Sequence, residues 1–155
     1  MATKTNPLLD PKNQSPASRA VHGGTERSHH GETSEALYLS SGFTYATSEE
    51  ARMRFKGETE GHIYSRFSNP TVEMFQNRMA GLEGADAARG TATGMAAVTT
   101  ALMSLVQAGD HVVASRALFG GCRYVVEDFL PRWGVSSTLV DGRDLKNFEA
   151  AMRDN

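Results

Sequence analysis

The sequence predicts an α/β protein built on a parallel β-sheet. From about residue 85 onward, short β-like runs alternate with helical segments in the order βαβαβα. Consecutive parallel strands need a long crossover connection, which a helix supplies. The helix that starts at Gly94 (GMAAVTTALMSLVQ) has small or apolar side chains on nearly all sides, so we expect it to be buried against such a sheet.

Composition supports a globular protein and excludes several function classes. The 155 residues include 16 Lys and Arg against 18 Asp and Glu, a formal net charge of −2. With this balance and no basic block, a nucleic-acid partner is not expected. No stretch approaches the ~20 apolar residues of a membrane helix, and the start MATKTNPLLDPKNQ lacks the apolar core of a secretory signal. We therefore expect no membrane partner and a cytoplasmic location.

Metal binding and disulfides are not predicted either. Cys122 is the single cysteine, which excludes an internal disulfide and a cysteine-based zinc cluster. His22, His29 and His30 lie in a polar segment with no third ligand at a suitable spacing, so we interpret them as incidental.

The first 34 residues form a separate segment. They are rich in Pro, Ser, Thr, Asn, Gly and His, with few large apolar side chains to offset the entropy of ordering. We expect this arm to be mobile by itself, although it could become ordered against a partner subunit. The apolar and aromatic stretch from Leu37 to Ala46 has no helical period and is predicted to be extended.

Two helices with marked N-termini follow the arm. Thr47 and Glu50 have the spacing of a capping box, which predicts a short helix ending near Gly57. Residues 57–68 are polar and predict a loop that carries Tyr64 and Arg66 outward. The second helix has Asn69 as N-cap, Pro70 at its first position and Gly84 at its end, with an apolar stripe of Val72, Phe75, Met79 and Leu82.

The predicted sheet region has three strands and three helices. Three parallel strands leave an edge and much of both faces uncovered, so the chain could be part of a larger fold. The predicted strands are residues 87–92, 111–115 and 136–141, and the predicted helices are residues 94–107, 121–132 (interrupted late by Pro131) and 144–153.

A phosphate site is possible where the first of these helices begins. Ligands of open parallel sheets bind at the carboxyl ends of the strands, where helix N-termini supply free N–H groups. Gly94 and Met95 offer two such amides, and Thr93 adds a hydroxyl. On local sequence alone, an ordinary strand-to-helix turn with Thr93 as N-cap is the simpler interpretation. No G-x-G-x-x-G or G-x-x-x-x-G-K-[ST] motif is present, so a dinucleotide or nucleoside triphosphate is not indicated.

Three motifs in order resemble a known family. GHIYSRFSNPTVEMFQNRMAGLEGADAA, TATGMAAV and LFGGC are similar to the Cys/Met-metabolism family of pyridoxal-phosphate (PLP) enzymes, the cystathionine γ-synthase-like group, over residues 39–141. The stretches IYSRFSNPTVEMF and ALFGGCR are most similar to those of the O-succinylhomoserine sulfhydrylases. The resemblance implies the three-layer, parallel-sheet domain of the PLP fold-type I (aspartate aminotransferase-like) class, here incomplete and preceded by an N-terminal arm.

The resemblance also implies cofactor-binding residues. Tyr64 and Arg66 match the pair that reaches across a subunit interface to the cofactor phosphate, and Gly94 and Met95 match the backbone phosphate donors. Phe119 matches the aromatic ring that stacks on the cofactor, where many relatives have tyrosine. Phenylalanine can stack but cannot transfer a proton.

Simpler interpretations of Arg66 and Phe119 also remain open at this point. An exposed Arg66 could pair with Glu58 or Glu60, and Phe119 could be a core residue at a strand end. Cys122 follows two glycines at a helix start, where a thiolate is favoured, but an inert buried cysteine is the simpler interpretation.

No catalytic residue is predicted within the chain. PLP chemistry needs a Schiff-base lysine and a carboxylate facing the ring nitrogen. Asp141 is interpreted as a turn residue before Gly142. None of the four lysines matches the lysine motif of the family; they are Lys4, Lys12, Lys56 and Lys146.

The resemblance implies γ-replacement of an amino-acid ester by sulfide, giving homocysteine from O-succinylhomoserine. It implies residues 1–60 as an arm and short helix for subunit contacts, and residues 61–155 as the first half of the large PLP domain. It also implies a homodimer with shared active sites, assembled to a tetramer. The alternatives are cystathionine γ-synthase, γ-lyase or O-acetylhomoserine sulfhydrylase activity, a non-catalytic phosphate- or cofactor-binding module, and a structural partner that docks on a full-length relative.

Overall fold

The computed structural model describes residues 13–153 in two compact units, one ending at Gly90 and the other starting at Thr91. Within these residues, no helix is both long and apolar enough to cross a membrane. The predicted division at residue 60, between a segment for subunit contacts and the first half of the PLP domain, stays a prediction. The helices of the first unit are α1 (Pro16–His22), α2 (Ser48–Phe55) and α3 (Pro70–Glu83). The second unit contains α4 (Gly94–Leu105), β1 (His111–Ser115), α5 (Gly120–Tyr124), β2 (Ser136–Val140) and α6 (Leu145–Ala151).

The sheet of the second unit has two parallel strands, β1 and β2. Their register runs from His111 opposite Ser136 to Ser115 opposite Val140. The prediction of a strand at residues 87–92 was wrong, because this segment is irregular. Its sequence, AARGTA, has no large apolar side chain to pack on a sheet face, and the Gly90 N–H donates to the Gln76 side chain (2.9 Å) instead of to a strand.

The core of the second unit is formed by a helical run that follows β1. Val125, Leu130 and Val135 are each at most 4% exposed. The run was predicted as one helix over residues 121–132, but it continues from α5 as a π-helical turn at Val125–Phe129 and a 3₁₀ turn at Leu130–Trp133. Pro131 lacks the N–H that an α-helix requires, which explains the change of hydrogen-bond pattern before it. Partly buried side chains around this core are Met95, Leu102, Val106, Val112 and Phe129.

Helix α4 differs from its prediction in length and in burial. It ends at Leu105 rather than Gln107, and Val106 caps it. None of its residues is fully buried, and Leu105 is 82% exposed. The prediction of burial was wrong for the described residues, because two strands and one short core cover only one side of a helix that is apolar on nearly all sides.

The described part of the N-terminal arm contains a helix, α1, that we did not predict. The expected mobility of the arm stays a prediction. Ser15 caps α1 by accepting the Ser18 N–H at 3.2 Å, and Pro16 occupies the first helical position. The same pairing of a cap with proline opens α3, so the sequence did contain the signal for α1. Helix α1 packs against α3, and Arg19 donates to the carbonyl of Gly81 at 3.1 Å. Residues 1–12, which belong to the predicted arm, lie outside the described residues.

Arg78 of α3 connects the arm to the helix. Its guanidinium donates to the Gly23 carbonyl (2.8 Å), to the Thr25 hydroxyl (3.1 Å) and to the Glu35 carboxylate (3.1 Å). The side chain is only 15% exposed, so these charge-assisted bonds are partly shielded from water.

The capping predictions for α2 and α3 were confirmed. The Thr47 hydroxyl accepts the Glu50 N–H at 3.0 Å, while the Glu50 carboxylate accepts the Ala46 N–H at 2.7 Å. Asn69 caps α3, and Gly84 ends it in the left-handed conformation, with φ of 67°. The predicted apolar stripe of α3 is only partly covered, since Val72 and Phe75 are exposed and Met79 and Leu82 are half-buried.

Glu32 provides a pH-sensitive contact in the arm. Ser28 donates both its backbone N–H and its hydroxyl to the Glu32 carboxylate, each at 2.7 Å. These bonds, the backbone one first, lower the pKa of Glu32 from 4.5 to about 2. Because the folded-state pKa is lowered, the contact stabilises the loop fully above the unfolded pKa and is lost as the pH falls towards 2.

We therefore expect the Glu32 carboxyl carbon to titrate near pH 2 in an NMR titration of the folded chain. In Ser28→Ala the hydroxyl donor is lost but the N–H remains, so the midpoint should rise only part of the way towards 4.5. A wild-type midpoint near 4.5 would show that the loop does not hold this carboxylate.

Candidate functional site

The predicted residues Tyr64 and Arg66 lie in a tight turn, residues 64–67, directly before α3. Tyr64 forms an antiparallel bridge with Gly42, and the Ser65 N–H donates to the Ser41 carbonyl at 2.9 Å. The Phe67 N–H closes the turn on the Tyr64 carbonyl at 2.8 Å. These hydrogen bonds fix the 64–67 turn to the extended segment that precedes α2. The turn lies within residues 57–68, which were predicted to form a loop.

Arg66 is exposed, and its guanidinium lies near two aromatic rings. It lies 5.8 Å from the ring centre of Tyr64 and 5.1 Å from that of Phe67, within cation–π range. Among residues 13–153, no carboxylate lies within ion-pair distance of it. Glu58 pairs with Arg52 at 3.1 Å instead. The alternative in which Arg66 pairs with Glu58 or Glu60 does not fit, and the cation remains available to an anion.

The N-terminus of α4 leaves two amides open. The Thr93 hydroxyl accepts the Ala96 N–H at 3.1 Å, and the Thr93 carbonyl accepts the Ala97 N–H at 3.0 Å. The N–H groups of Gly94 and Met95 precede these bonds and have no acceptor among the described residues. A Cβ added at Gly94 would meet no atom within 4 Å, so the approach to these amides is open. The donors, the helix dipole and the open approach all fit a phosphate group.

The side chains of Phe119 and Met95 both lie over Gly121. A Cβ added at Gly121 would lie 2.9 Å from the Met95 sulfur and 3.2 Å from a ring carbon of Phe119. Both side chains therefore occupy the space that the missing side chain of Gly121 leaves. Phe119 is 75% exposed, which does not fit the alternative of a core residue but does leave a ring face free for stacking.

The five predicted residues fall into two groups. Tyr64 and Arg66 are together in the first unit, while Gly94, Met95 and Phe119 are together in the second. Sequence reasoning missed the packing role of Gly121. It also treated Asn69 only as a helix cap, whereas this side chain is buried against the 64–67 turn. An asparagine four residues after Ser65 was the available signal, but it does not specify that contact.

The remaining candidates stay outside this site. Asp141 is a turn residue as predicted: it accepts the Arg143 N–H at 3.2 Å and pairs with the Arg143 guanidinium, whose hydrogen bond lowers the Asp141 pKa. Cys122 is half-buried in α5. Within residues 13–153, no group of three or more His, Cys, Asp or Glu could hold a metal.

The described lysines have ordinary surface environments. Lys56 lies 3.9 Å from Glu58, and Lys146 is exposed in the first turn of α6. Lys4 and Lys12 lie outside the described residues.

Comparisons with curated proteins give both sulfhydrylases and gamma-lyases as relatives. The chain is 49% identical over 146 residues to an O-succinylhomoserine sulfhydrylase of Mycobacterium tuberculosis, covering 94% of this chain and 36% of the relative. It is 41% identical to an O-succinylhomoserine sulfhydrylase of Pseudomonas aeruginosa, over 88% of this chain and 34% of that protein. It is 39% identical to an L-methionine gamma-lyase of Porphyromonas gingivalis, over 90% and 35% respectively. The chain thus spans about a third of the length of these relatives.

Solved structures agree on the fold. A Campylobacter jejuni structure described as an O-acetylhomoserine (thiol)-lyase matches with a TM-score of 0.87 and 30% identity, over 92% of this chain and 35% of that one. It carries N'-pyridoxyl-lysine-5'-monophosphate. Cystathionine gamma-lyase of Lactobacillus plantarum matches with a TM-score of 0.78 and 30% identity, over 90% of this chain and 34% of that one. The described residues therefore form a partial α/β domain of the PLP fold-type I class.

A family model described as Cys/Met metabolism PLP-dependent enzyme matches residues 17–155, nearly the whole chain. The open amides at the start of α4 and the unpaired guanidinium of Arg66 fit the phosphate of the cofactor that this family uses. The chain belongs to the Cys/Met metabolism family of PLP-dependent enzymes.

Proposed function

We propose that the chain is the amino-terminal part of an enzyme that makes homocysteine from O-succinylhomoserine and sulfide by γ-replacement. The observation that carries the proposal is the pair of open N–H groups at Gly94 and Met95 beside the exposed ring of Phe119. The choice of substrate rests on similarity to O-succinylhomoserine sulfhydrylases, up to 49% identity over 94% of the chain. L-methionine gamma-lyases match at up to 39% identity, so γ-elimination is the second candidate.

The start of α4 would bind the cofactor phosphate. A phosphate oxygen can accept the N–H groups of Gly94 and Met95 without displacing a bond that the protein already makes. The positive end of the helix dipole adds a favourable charge interaction of about 0.3–1 kcal/mol. PLP, once bound, supplies the electron withdrawal that the substrate reaction needs.

Tyr64 and Arg66 would complete the phosphate site of a neighbouring subunit. A guanidinium can donate two parallel hydrogen bonds to a phosphate, and a phenol adds a third donor. Arg66 suits this role because it is exposed and has no carboxylate partner among the described residues. This assignment requires a homodimer with shared active sites. We further propose a tetramer, a cytoplasmic location, and a division into residues 1–60 for subunit contacts and 61–155 for cofactor binding.

Phe119 would fix the plane of the cofactor ring. Its ring is 75% exposed, and both it and the Met95 sulfur lie over Gly121, so a flat ligand can reach the exposed part of the ring. The phenyl ring carries no exchangeable proton. Phe119 therefore takes no part in the proton transfers of the proposed reaction, which we assign to other groups, foremost the lysine that holds the cofactor.

The reaction itself gives the first test. We expect the full-length protein, translated from the whole reading frame that contains these residues, to form homocysteine from O-succinylhomoserine and sulfide. We expect the 155-residue chain alone to form none, because no lysine in it matches the family motif. Homocysteine is measured by thiol derivatisation and chromatography. Product from the isolated chain would contradict the assignment. Release of methanethiol from methionine, without sulfide-dependent homocysteine, would favour the second candidate.

Arg66 gives the second test. In the full-length protein, Arg66→Ala should weaken PLP binding roughly 10- to 100-fold, since charge-assisted hydrogen bonds contribute about 1.5–3 kcal/mol. Arg52→Ala is the matched control, because Arg52 is also exposed but pairs with Glu49 at 2.7 Å. PLP retention is measured by equilibrium dialysis. Equal retention in wild type, Arg66→Ala and the control would remove Arg66 from the site.

Two adjacent glycines give the third test. Gly121→Ala should push Met95 and Phe119 apart, and loss of the stacking geometry should weaken PLP binding about 2- to 10-fold. Gly120→Ala is the control in the same helix, since a Cβ there meets no atom within 4 Å. Both variants are compared by equilibrium dialysis with PLP and by urea unfolding. If the two alanines behave alike, the packing of Met95 and Phe119 over Gly121 does not orient the cofactor ring.

A further inference from the structure

Asn69 makes more contacts than a helix cap needs. It is 7% exposed. Among residues 13–153, it is the only polar or charged residue that is buried. Its carbonyl oxygen accepts the Thr71 N–H at 2.9 Å, which is the cap. Its amide nitrogen donates to the Tyr38 carbonyl at 2.9 Å and to the Ser65 hydroxyl at 3.0 Å. One side chain thus connects the start of α3, the extended segment and the 64–67 turn.

Ser65 receives this contact at the position between Tyr64 and Arg66. Its hydroxyl accepts from Asn69 and donates to the Ser40 carbonyl. Its backbone N–H donates to the Ser41 carbonyl at 2.9 Å. The backbone from which both proposed phosphate donors project is therefore fixed on two sides.

The chemistry of the two donor bonds is specific to an amide. Capping requires only an oxygen acceptor, which Ser, Thr, Asp and Asn all supply. The bonds to Tyr38 and Ser65 require N–H donors on the same side chain. An aspartate would keep the acceptor and the size but would place a carboxylate oxygen against the Tyr38 carbonyl. The cap can therefore be kept while the contact with the turn is removed.

We infer that Asn69 is a positioning residue that holds the 64–67 turn so that Arg66 and Tyr64 are presented to a phosphate. The inference rests on the proposed role of Arg66. The long arginine side chain loses rotational freedom when it binds an anion, and a fixed backbone origin limits the further loss. Asn69 touches neither the phosphate nor the reacting atoms, so it acts only through the turn.

The test uses Asn69→Asp in the full-length protein, with Asn77→Asp as the control. Asn77 is exposed on the same helix, so its aspartate matches the change in charge. We expect Asn69→Asp to weaken PLP binding roughly 3- to 30-fold, in the range of measured couplings between contacting residues. We also expect faster amide hydrogen exchange at Ser65 and Phe67 in the cofactor-free protein. Asn77→Asp should change neither quantity.

A double-mutant cycle separates positioning from general destabilisation. If Asn69 acts through Arg66, then Asn69→Asp should cause little further loss of PLP affinity in the Arg66→Ala background. A full further loss there would overturn the inference, as would unchanged exchange at Ser65 and Phe67. Asn69→Ser, which keeps a cap oxygen without the charge, repeats the test if the aspartate variant does not fold. If Arg66→Ala alone leaves PLP affinity unchanged, the proposed role of Arg66 fails, and the exchange measurement still decides whether Asn69 holds the turn.

Discussion

The hydrogen-bond requirement of helix N-termini organises this chain. The first amides of a helix have no partner within the helix, so a side chain, water or a ligand must satisfy them. Within residues 13–153, five helices begin with a side-chain cap, from Ser15, Thr47, Asn69, Thr93 and Asp144. Two of these caps matter for the proposed function in different ways. Asn69 uses its surplus donors to hold a turn, and Thr93 satisfies one amide while two others stay open to a ligand.

The features that the sequence predicted correctly are those that local chemistry determines. Asn69 with Pro70 marks the start of α3 and Gly84 marks its end, because each residue acts on backbone within one turn. The errors at residues 87–92 and at α4 concern features that depend on distant parts of the protein. Whether residues 87–92 form a strand depends on a neighbouring strand, and whether α4 is buried depends on how much sheet covers it. Neither condition can be read from the segment itself.

The candidate site shows the same difference at the level of side chains. Similarity to a family indicated Tyr64, Arg66, Gly94, Met95 and Phe119, but it did not indicate what holds them. Asn69 contacts the carbonyl of Tyr38, which is 31 residues away in the sequence. The positions of Met95 and Phe119 depend on the space left by Gly121. Such supporting contacts arise from the fold, and motif spacing carries no information about them.

The proposed separation of cofactor binding from proton transfer follows from the chemistry of the five cofactor-binding residues. A guanidinium and a phenol bind a phosphate by donating hydrogen bonds. Backbone amides donate in the same way, and a phenyl ring has no proton to transfer. These groups can therefore hold a phosphate and orient a ring. We propose that the groups that move protons in the reaction lie in the rest of the enzyme, foremost the lysine that holds the cofactor.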